Sequence, residues 1–318
     1  MECVVAIQMD HISSIDIKTD STYILALEGQ RRGHTILHYE VKDLFLENNV
    51  LYANTQKLIL RKNEKNFYEL LPVKKTKLKD VDIILMRQDP PFNMNYITAT
   101  HLLEKLEPNV FILNNPSSVR NSPEKLLVTK FNKLMPPTLI SSDEKEISNF
   151  RKKYKDIVIK PLFGNGGESI IRVKNNDQNF SSIIEILKKM YEEPLMIQQF
   201  IKEVTKGDKR IILLDGEILG AINRIPAKGE IRANMHVGAR PVKTKLSKEE
   251  VEICNVIGPE LKKKKLFLVG IDVIGGKYLT EINVTSPTGL QEINKYEKKR
   301  CEIDIWNYIE KAIKYEKN

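Results

Sequence analysis

Cysteine is scarce in this chain of 318 residues. Cys3, Cys254 and Cys301 are the only ones, far apart and odd in number. That pattern builds neither a disulfide framework nor a zinc site, and it leaves each thiol as a small buried hydrophobe. The five histidines also lack ligand spacing. His34 and His38 are four apart but flank the strand-like run Thr35-Ile36-Leu37, where that interval does not build a helical metal pair. Both read as structural. No apolar run approaches the about 20 residues a membrane helix needs. The N-terminus carries Glu2 and Cys3 ahead of a short strand-like run, without the basic region and long apolar core of a signal peptide. A cytoplasmic protein with no membrane partner is expected. Internal repeats and low-complexity segments are absent as well.

What is present describes a globular chain. It is 41% hydrophobic and 29% charged, and it is long enough for two or three domains. The formal net charge is +9 and the pI about 9.2. The lysines are scattered, with clusters at Lys74-Lys75 in a linker and Lys262–Lys265 on a polar helix face. No aromatic residues interleave them as single-strand binders require, so no nucleic-acid partner is expected. An anionic substrate would benefit from the same charge.

The first third alternates strand and helix. Strands are expected at Val4–Ile7, Thr35–Val41, Leu51–Leu60, Val81–Met86 and Val110–Leu113. Helices are expected at Thr19–Arg32, capped by Asp20 or Ser21, and at Thr98–Leu106. This rhythm predicts a mostly parallel sheet covered by helices. A boundary falls near residue 120, where Ser122-Pro123-Glu124-Lys125 starts a helix running to Leu134. An α+β unit follows, with helices at Asp143–Tyr154 and Phe180–Tyr191 and strands at Ile157–Pro161, Ile170–Val173 and Leu195–Phe200. The remainder holds a hairpin turning at Asp215-Gly216, a helix over Lys248–Lys265, a second hairpin, and a last helix over Ile303–Tyr315.

That second hairpin carries chemistry. Phe267–Ile274 is an apolar strand interrupted by Asp272, and Leu279–Val284 is a strand bearing Glu281 and Asn283 on one face. A two-residue Gly275-Gly276 turn would set Asp272 diagonal to Glu281, roughly 7–8 Å away at Cα. Two acids so close in a half-buried sheet call for a cation, and a carboxylate–amide oxygen set suits Mg²⁺. The loop after it, Thr285-Ser286-Pro287-Thr288-Gly289, offers hydroxyls and backbone donors to an anion. Lys160 ends a buried strand and precedes Gly164-Asn165-Gly166-Gly167, a loop whose backbone N–H groups suit phosphate. The P-loop pattern is absent, since no Gly-Lys-Ser/Thr follows. Lys125 is a cation placed early in a helix, where the helix itself does not favour one. Arg210 enters a strand and would want an anion inside. The stretch 224–234, with Arg224 and Arg232, reads as a mobile lid.

Together these residues resemble the ATP-grasp superfamily, and within it the bacterial glutathione synthetases. The resemblance covers nearly the whole chain. It is carried by Met9-Asp10, Glu28–Gly33, Ile84–Phe92, Glu124-Lys125-Leu126, Ile159-Lys160-Pro161, Gly164–Gly167, Gly207–Arg210, Arg224-Ile225-Pro226 and Thr280–Thr288. Departures are Gln88 where the family usually has lysine, Asn165 for methionine, and Ala233 in a lid that usually reads Arg-Gly-Asn. The resemblance implies an α/β ATP-grasp fold with an N-terminal Rossmann-like, parallel-sheet, substrate-binding domain over 1–120. A lid subdomain over 121–203 and a C-terminal catalytic subdomain over 204–318 complete it. It implies ligation of γ-glutamylcysteine and glycine to glutathione, with ATP as co-substrate, Mg²⁺ or Mn²⁺ as metal, and a homo-oligomer, a tetramer. ATP would be held by Lys125, Lys160, Gly164, Gly166, Gly167, Gln198, Gln199, Phe200, Ile201 and Asp208. Asp272, Glu281 and Asn283 would hold metal, and Arg87, Asp89, Ser286 and Thr288 substrate. Arg210, Arg224 and Arg232 would neutralise charge in the reaction. Another ATP-grasp carboxylate–amine ligase and a non-catalytic ATP-binding regulator remain as alternatives.

Overall fold

A computed structural model describes residues 2–316. Three sheets follow one another along the chain. The first contains β1 (Val4–Gln8), β2 (Thr35–Tyr39), β3 (Leu44–Glu47), β4 (Val50–Leu60), β5 (Tyr68–Leu70), β6 (Lys74–Lys77), β7 (Ile83–Met86) and β8 (Phe111–Leu113). Its order is β3-β4-β2-β1-β7-β8, with β5 and β6 also on β4. The β2-β1-β7-β8 part is parallel, as the βαβ rhythm required. These strands are apolar on both faces; all four residues of β7 are buried. Lys74-Lys75 is not linker but part of strand β6, where Lys75 pairs with Glu47 at 2.5 Å and lies over the Tyr52 ring.

The second sheet is antiparallel, ordered β11 (Ile171–Val173), β10 (Ile157–Pro161), β12 (Leu195–Gln199), β9 (Thr138–Ser141). The third is antiparallel too, ordered β15 (Arg240–Lys243), β14 (Glu217–Ile225), β13 (Asp208–Leu214), β16 (Leu268–Ile274), β17 (Tyr278–Asn283). Helices α1 (Ser21–Arg31), α2 (Met94–Glu104), α3 (Pro116–Arg120), α4 (Glu124–Leu127), α5 (Glu144–Tyr154), α6 (Phe180–Met190), α7 (Lys248–Lys263), α8 (Leu290–Glu297) and α9 (Cys301–Glu316) complete the fold. No described helix is long and apolar enough to cross a membrane.

Caps explain where several helices begin. Asp20 accepts from the Tyr23 N–H at the start of α1. Helix α2 starts four residues before the expected Thr98, because Asn93 accepts from the N–H groups of Asn95 and Tyr96 at 3.0 and 3.2 Å. The long helix expected from Ser122 to Leu134 is instead the single turn α4 and a 3₁₀ stretch, Val128–Leu134, interrupted at Phe131. Ser122 makes no cap; Pro123 occupies that position and has no side-chain donor or acceptor.

Two features tie the sheets together. The Asn114 side chain, at the end of β8, donates to the carbonyls of Leu268 and Val284 at 2.8 Å each and accepts from Leu268 N–H at 2.9 Å. Helix α9 returns to the first sheet and packs on α1. The Trp306 ring lies so close to Gly29 that a Cβ there would stand 2.5 Å from it, and Trp306 Nε1 donates to Leu25 O at 2.8 Å. Glu28 is gripped by Arg31, Arg32 and Arg300. The Arg31 bond comes first in holding its carboxyl down to about 2. The Glu28–Gly33 motif thus serves packing. Both histidines are structural: His34 accepts from Cys3 N–H at 3.2 Å and its ring lies against Trp306, while His38 meets Asp10 O at 3.3 Å. All three cysteines are buried thiols.

Candidate active site

Two cavities meet between the second and third sheets. The first, about 870 Å³, is lined by Lys125, Lys160, Gly164–Gly167, Gln198–Ile201, Asp208 and Asp272. The second, about 1280 Å³, is lined by Asp89, Arg210, Arg224, Asn283, Ser286 and Thr288. Gly166, Arg232 and Glu281 line both. Of the site residues named from sequence, Arg87 alone lines neither. Its buried guanidinium donates to Thr22 Oγ1 at 3.0 Å and to Pro287 O at 3.1 Å, and its carbonyl accepts from Ser286 Oγ at 3.0 Å. Arg87 fixes the hydroxyl-bearing loop against β7, and burial pulls its pKa below the usual guanidinium range.

The acid-bearing hairpin differs from the sequence expectation in register. Its turn spans three residues, Gly275, Gly276 and Lys277, with Ile274 opposite Tyr278, and the register shifts at Thr280. Asp272 therefore stands directly opposite Glu281 rather than diagonal to it. Opposed residues carry their Cβ atoms about 4.5–5.5 Å apart, so the acids are closer than expected. Thr280 Oγ1 donates to Asp272 O at 3.2 Å across the shift.

Cations from three elements answer these acids. Arg210 grips Asp272 with two bonds, at 2.6 and 3.0 Å. Arg224 lies 2.9 Å from Asp208 and 3.0 Å from Asp272. Lys125 lies 3.1 Å from Glu281 and donates to Gly164 O, joining α4, the glycine loop and β17. Burial alone would push the Asp272 carboxyl up; Arg210 and Arg224 outweigh it and hold the group well below the carboxylate range. Arg224 is likewise buried, yet Asp208 and Asp272 keep it above its ordinary value. Burial pushes Asp208 up to about 7 against the pull of Arg224.

The glycine loop and the segment after β14 are in contact. Arg232 Nη1 donates to Gly167 O at 3.4 Å, and a Cβ at Gly167, whose φ is +84°, would stand 2.7 Å from Asn234 Oδ1. Only a residue without a side chain fits there. Ala233 is buried and is not among the positive-φ residues, so alanine is accommodated in this segment. Beneath it Val158, Phe200 and Val204 form an apolar slot, with Ile170, Ile231 and Ile274 against it. Lys160 stands beside the slot, donating to Gln198 Oε1 at 2.8 Å; burial lowers its pKa.

Sequence reasoning missed Glu124 as a site residue. It lines the second cavity and accepts from the N–H groups of Val284 and Thr285 at 3.2 and 3.4 Å and from Thr285 Oγ1 at 2.7 Å. Burial, then the charge of Glu281, raises its carboxyl to about 7. The one signal for it was adjacency to Lys125.

Among the described residues no group of three or more His, Cys, Asp or Glu side chains is arranged to hold a metal. The oxygen donors at hand are Asp272, Glu281 and Asn283, which share one face of adjacent strands. That set, and the negative charge that lifts Glu124, fit a hard divalent cation. Asp272 would have to share its oxygens with the two arginines.

Family comparison agrees with this geometry. Residues 3–120 match the model for the prokaryotic glutathione synthetase N-terminal domain, and residues 124–298 the model for the ATP-grasp domain of the same family. The chain is similar to the glutathione synthetase of Mesorhizobium japonicum, 47% identical over 310 residues, covering 98% of this chain and 99% of that protein. It is 47% identical over 306 residues to the glutathione synthetase of Brucella melitensis, covering 96% and 98%. Among solved structures it resembles D-cycloserine synthetase DcsG, with TM-score 0.63, 11% identity, and coverage of 92% and 94%. It also resembles the ATP-grasp ligase PsnB solved with a precursor variant, Mg and ADP, with TM-score 0.60, 12% identity, and coverage of 100% and 99%. These two likenesses establish the ATP-grasp fold.

Proposed function

The chain belongs to the prokaryotic glutathione synthetase family, and on that premise we propose that its two cavities divide the ATP-dependent formation of glutathione between them. The enzyme is an ATP-dependent ligase joining γ-glutamylcysteine and glycine, with release of ADP and phosphate. The first cavity takes ATP. Its apolar slot suits the purine, Gln198–Ile201 border the base, and Asp208 faces the ribose. The phosphates run toward Lys160, Lys125 and the N–H groups of the glycine loop. The second cavity takes the donor's cysteinyl carboxylate among Arg210, Arg224, Ser286 and Thr288, with Asp89 on the far wall.

A free carboxylate resists attack by an amine. Transfer of the γ-phosphoryl group to one of its oxygens makes an acyl phosphate. The neutral amine of glycine then attacks the carbonyl carbon, and the C–O bond to phosphate breaks. Asp272, Glu281 and Asn283 would hold Mg²⁺ or Mn²⁺, which would supply charge neutralisation on the phosphates. Arg210 and Arg224 are fixed by Asp272 before substrate arrives, so little reorganisation accompanies charge development. Arg232, seated on the glycine loop, closes the nucleotide from water. By the same family resemblance we place the enzyme in the cytoplasm as a homotetramer; sedimentation of the purified chain tests the assembly.

The observation that carries this reading is that the lysine and glycine-loop cavity and the arginine and hydroxyl cavity meet at Glu281. Phosphate release by the purified protein tests it, with glycine, alanine and serine each offered against γ-glutamylcysteine and free glutamate. Glycine with γ-glutamylcysteine should be the productive pair; efficient ligation of another pair without glutathione would overturn the assignment.

Lys160→Ala should weaken ATP by about 1.5–3 kcal/mol, the worth of a charge-assisted phosphate contact. Donor affinity should stay near wild type. Calorimetric titration with a non-hydrolysable ATP analogue measures it, and unchanged nucleotide affinity would remove Lys160 from the phosphate site.

A further inference from the structure

Glycine arrives as a zwitterion, and its ammonium has no lone pair to offer an acyl phosphate until a proton leaves. The lysines and arginines of the two cavities cannot take that proton; a carboxylate can. Among the described residues the acids lining the second cavity are Asp89, Glu124, Glu168 and Glu281. Asp89 and Glu168 are exposed. Glu281 is engaged by Lys125 at 3.1 Å and belongs to the oxygen set suited to a divalent cation. Glu124 is half-buried and has no such engagement.

Glu124 stands on α4 one residue before Lys125, and Lys125 reaches Glu281 where the two cavities meet. One carboxylate oxygen holds structure. Oε1 accepts from the N–H groups of Val284 and Thr285 at 3.2 and 3.4 Å and from Thr285 Oγ1 at 2.7 Å. Those three bonds fix the carboxylate. Oε2 carries no bond among the described residues and is not sealed from the cavity. A carboxylate held by one oxygen, with the other open to the reacting space, has the geometry of a general base. Charged and titratable groups face it from several elements: Glu281 on β17, Lys125 beside it on α4, Tyr96 on α2, and Arg210 and Arg224 across the cavity on β13 and β14. Burial, then Glu281, outweighs Lys125 and the Thr285 bonds, and the carboxyl is raised to about 7. A base poised there is ionised above neutrality and still takes a proton readily.

We propose that Glu124 is the general base of the ligation, its Oε2 taking a proton from the ammonium of the acceptor glycine and so freeing the nitrogen lone pair. The proposal rests on the reading of the two cavities as the ATP and donor sites. The nitrogen–carbon bond forms as the carbon–oxygen bond to phosphate breaks, and that electron pair leaves on the phosphate. The second proton lost by nitrogen departs on the phosphate, and Glu124 returns the first to water. Acyl phosphate and ammonium thus give amide, hydrogen phosphate and one proton.

Hydroxylamine separates this role from scaffolding, because it is largely uncharged at neutral pH and attacks an acyl phosphate without a base. Purified enzyme receives ATP, Mg²⁺ and γ-glutamylcysteine with saturating glycine or hydroxylamine, and glutathione and hydroxamate are quantified by mass spectrometry. Glu124→Gln keeps an amide oxygen for Val284 and Thr285. It should lose about 10²–10⁴-fold in kcat with glycine and stay within about threefold of wild type with hydroxylamine. Thr285→Val loosens the same loop but keeps the carboxylate, so its glycine-to-hydroxylamine ratio should match wild type. In wild type that ratio should fall as pH drops through about 7, a measurement that needs no variant; in Glu124→Gln it should be flat. An equal loss with both acceptors in Glu124→Gln, an unchanged glycine rate, or a pH-independent ratio in wild type would overturn the assignment. A wild-type enzyme that formed neither glutathione nor hydroxamate from γ-glutamylcysteine would overturn the functional reading itself.

Discussion

Replacing Asp272 with alanine is expected to cost about 3–5 kcal/mol of folding stability and to abolish ligation. Asp272 is buried and grips Arg210 by two bonds while sharing Arg224 with Asp208. Removing one partner of a buried pair leaves the other charge uncompensated, which accounts for that magnitude. Both arginines lose the anchor that aims them at the second cavity, so turnover should not return at high Mg²⁺. The acid limb of stability should change as well. The Asp272 carboxyl is held far below its ordinary value, so its contribution is full above the unfolded pKa of about 4. It is lost as pH falls through the depressed folded value. Urea midpoints measured without ligands should show the loss at pH 7, and a shallower fall in acid for the variant. Wild-type midpoints would show that the arginines find other partners.

Glu281→Gln is expected to lower turnover about 10²–10³-fold and to raise the Mg²⁺ concentration needed for half-maximal rate. That range is the usual effect of removing one preorganised electrostatic group from an active site. Stability should fall as well, because the substitution leaves the buried Lys125 ammonium without its carboxylate partner at 3.1 Å. Burial, then Glu281, holds Glu124 up to about 7, so removing the Glu281 charge lets Glu124 ionise at lower pH, which offsets part of that loss near neutrality. A variant that is slow, metal-hungry and less stable is the predicted combination. A wild-type metal dependence would make the strand face structural.

The residues that supply charge could be read from sequence because each sits at the end of a clear local pattern. Lys160 closes an apolar run before glycines, and Asp272 interrupts another. Glu281 and Asn283 alternate on one strand, and all four line the cavities. What local pattern could not supply was register. The three-residue turn and the shift at Thr280 depend on pairing across β16 and β17, and they change which residue faces Asp272. Glu124 was hidden because its partners, Val284 and Thr285, lie 160 residues further on. Arg87 pointed toward substrate by its place at the end of β7, yet its bonds go to Thr22 and Pro287. The helix expected over Ser122–Leu134 failed for a related reason. Its first turn, α4, is kept and is tied to the glycine loop, to β17 and to the loop after it through Lys125 and Glu124, while the residues after it pass into the 3₁₀ stretch interrupted at Phe131.

Acyl-phosphate chemistry leaves an isotopic record that tests the division of labour between the two cavities most directly. γ-Glutamylcysteine labelled with ¹⁸O in both cysteinyl carboxylate oxygens is incubated with the enzyme, ATP, Mg²⁺ and glycine. The released phosphate and the glutathione are then weighed by mass spectrometry. Activation of the carboxylate by the γ-phosphoryl group predicts one ¹⁸O in each phosphate and one in the new amide carbonyl. Phosphate released without label, alongside glutathione formed at the normal rate, would contradict it.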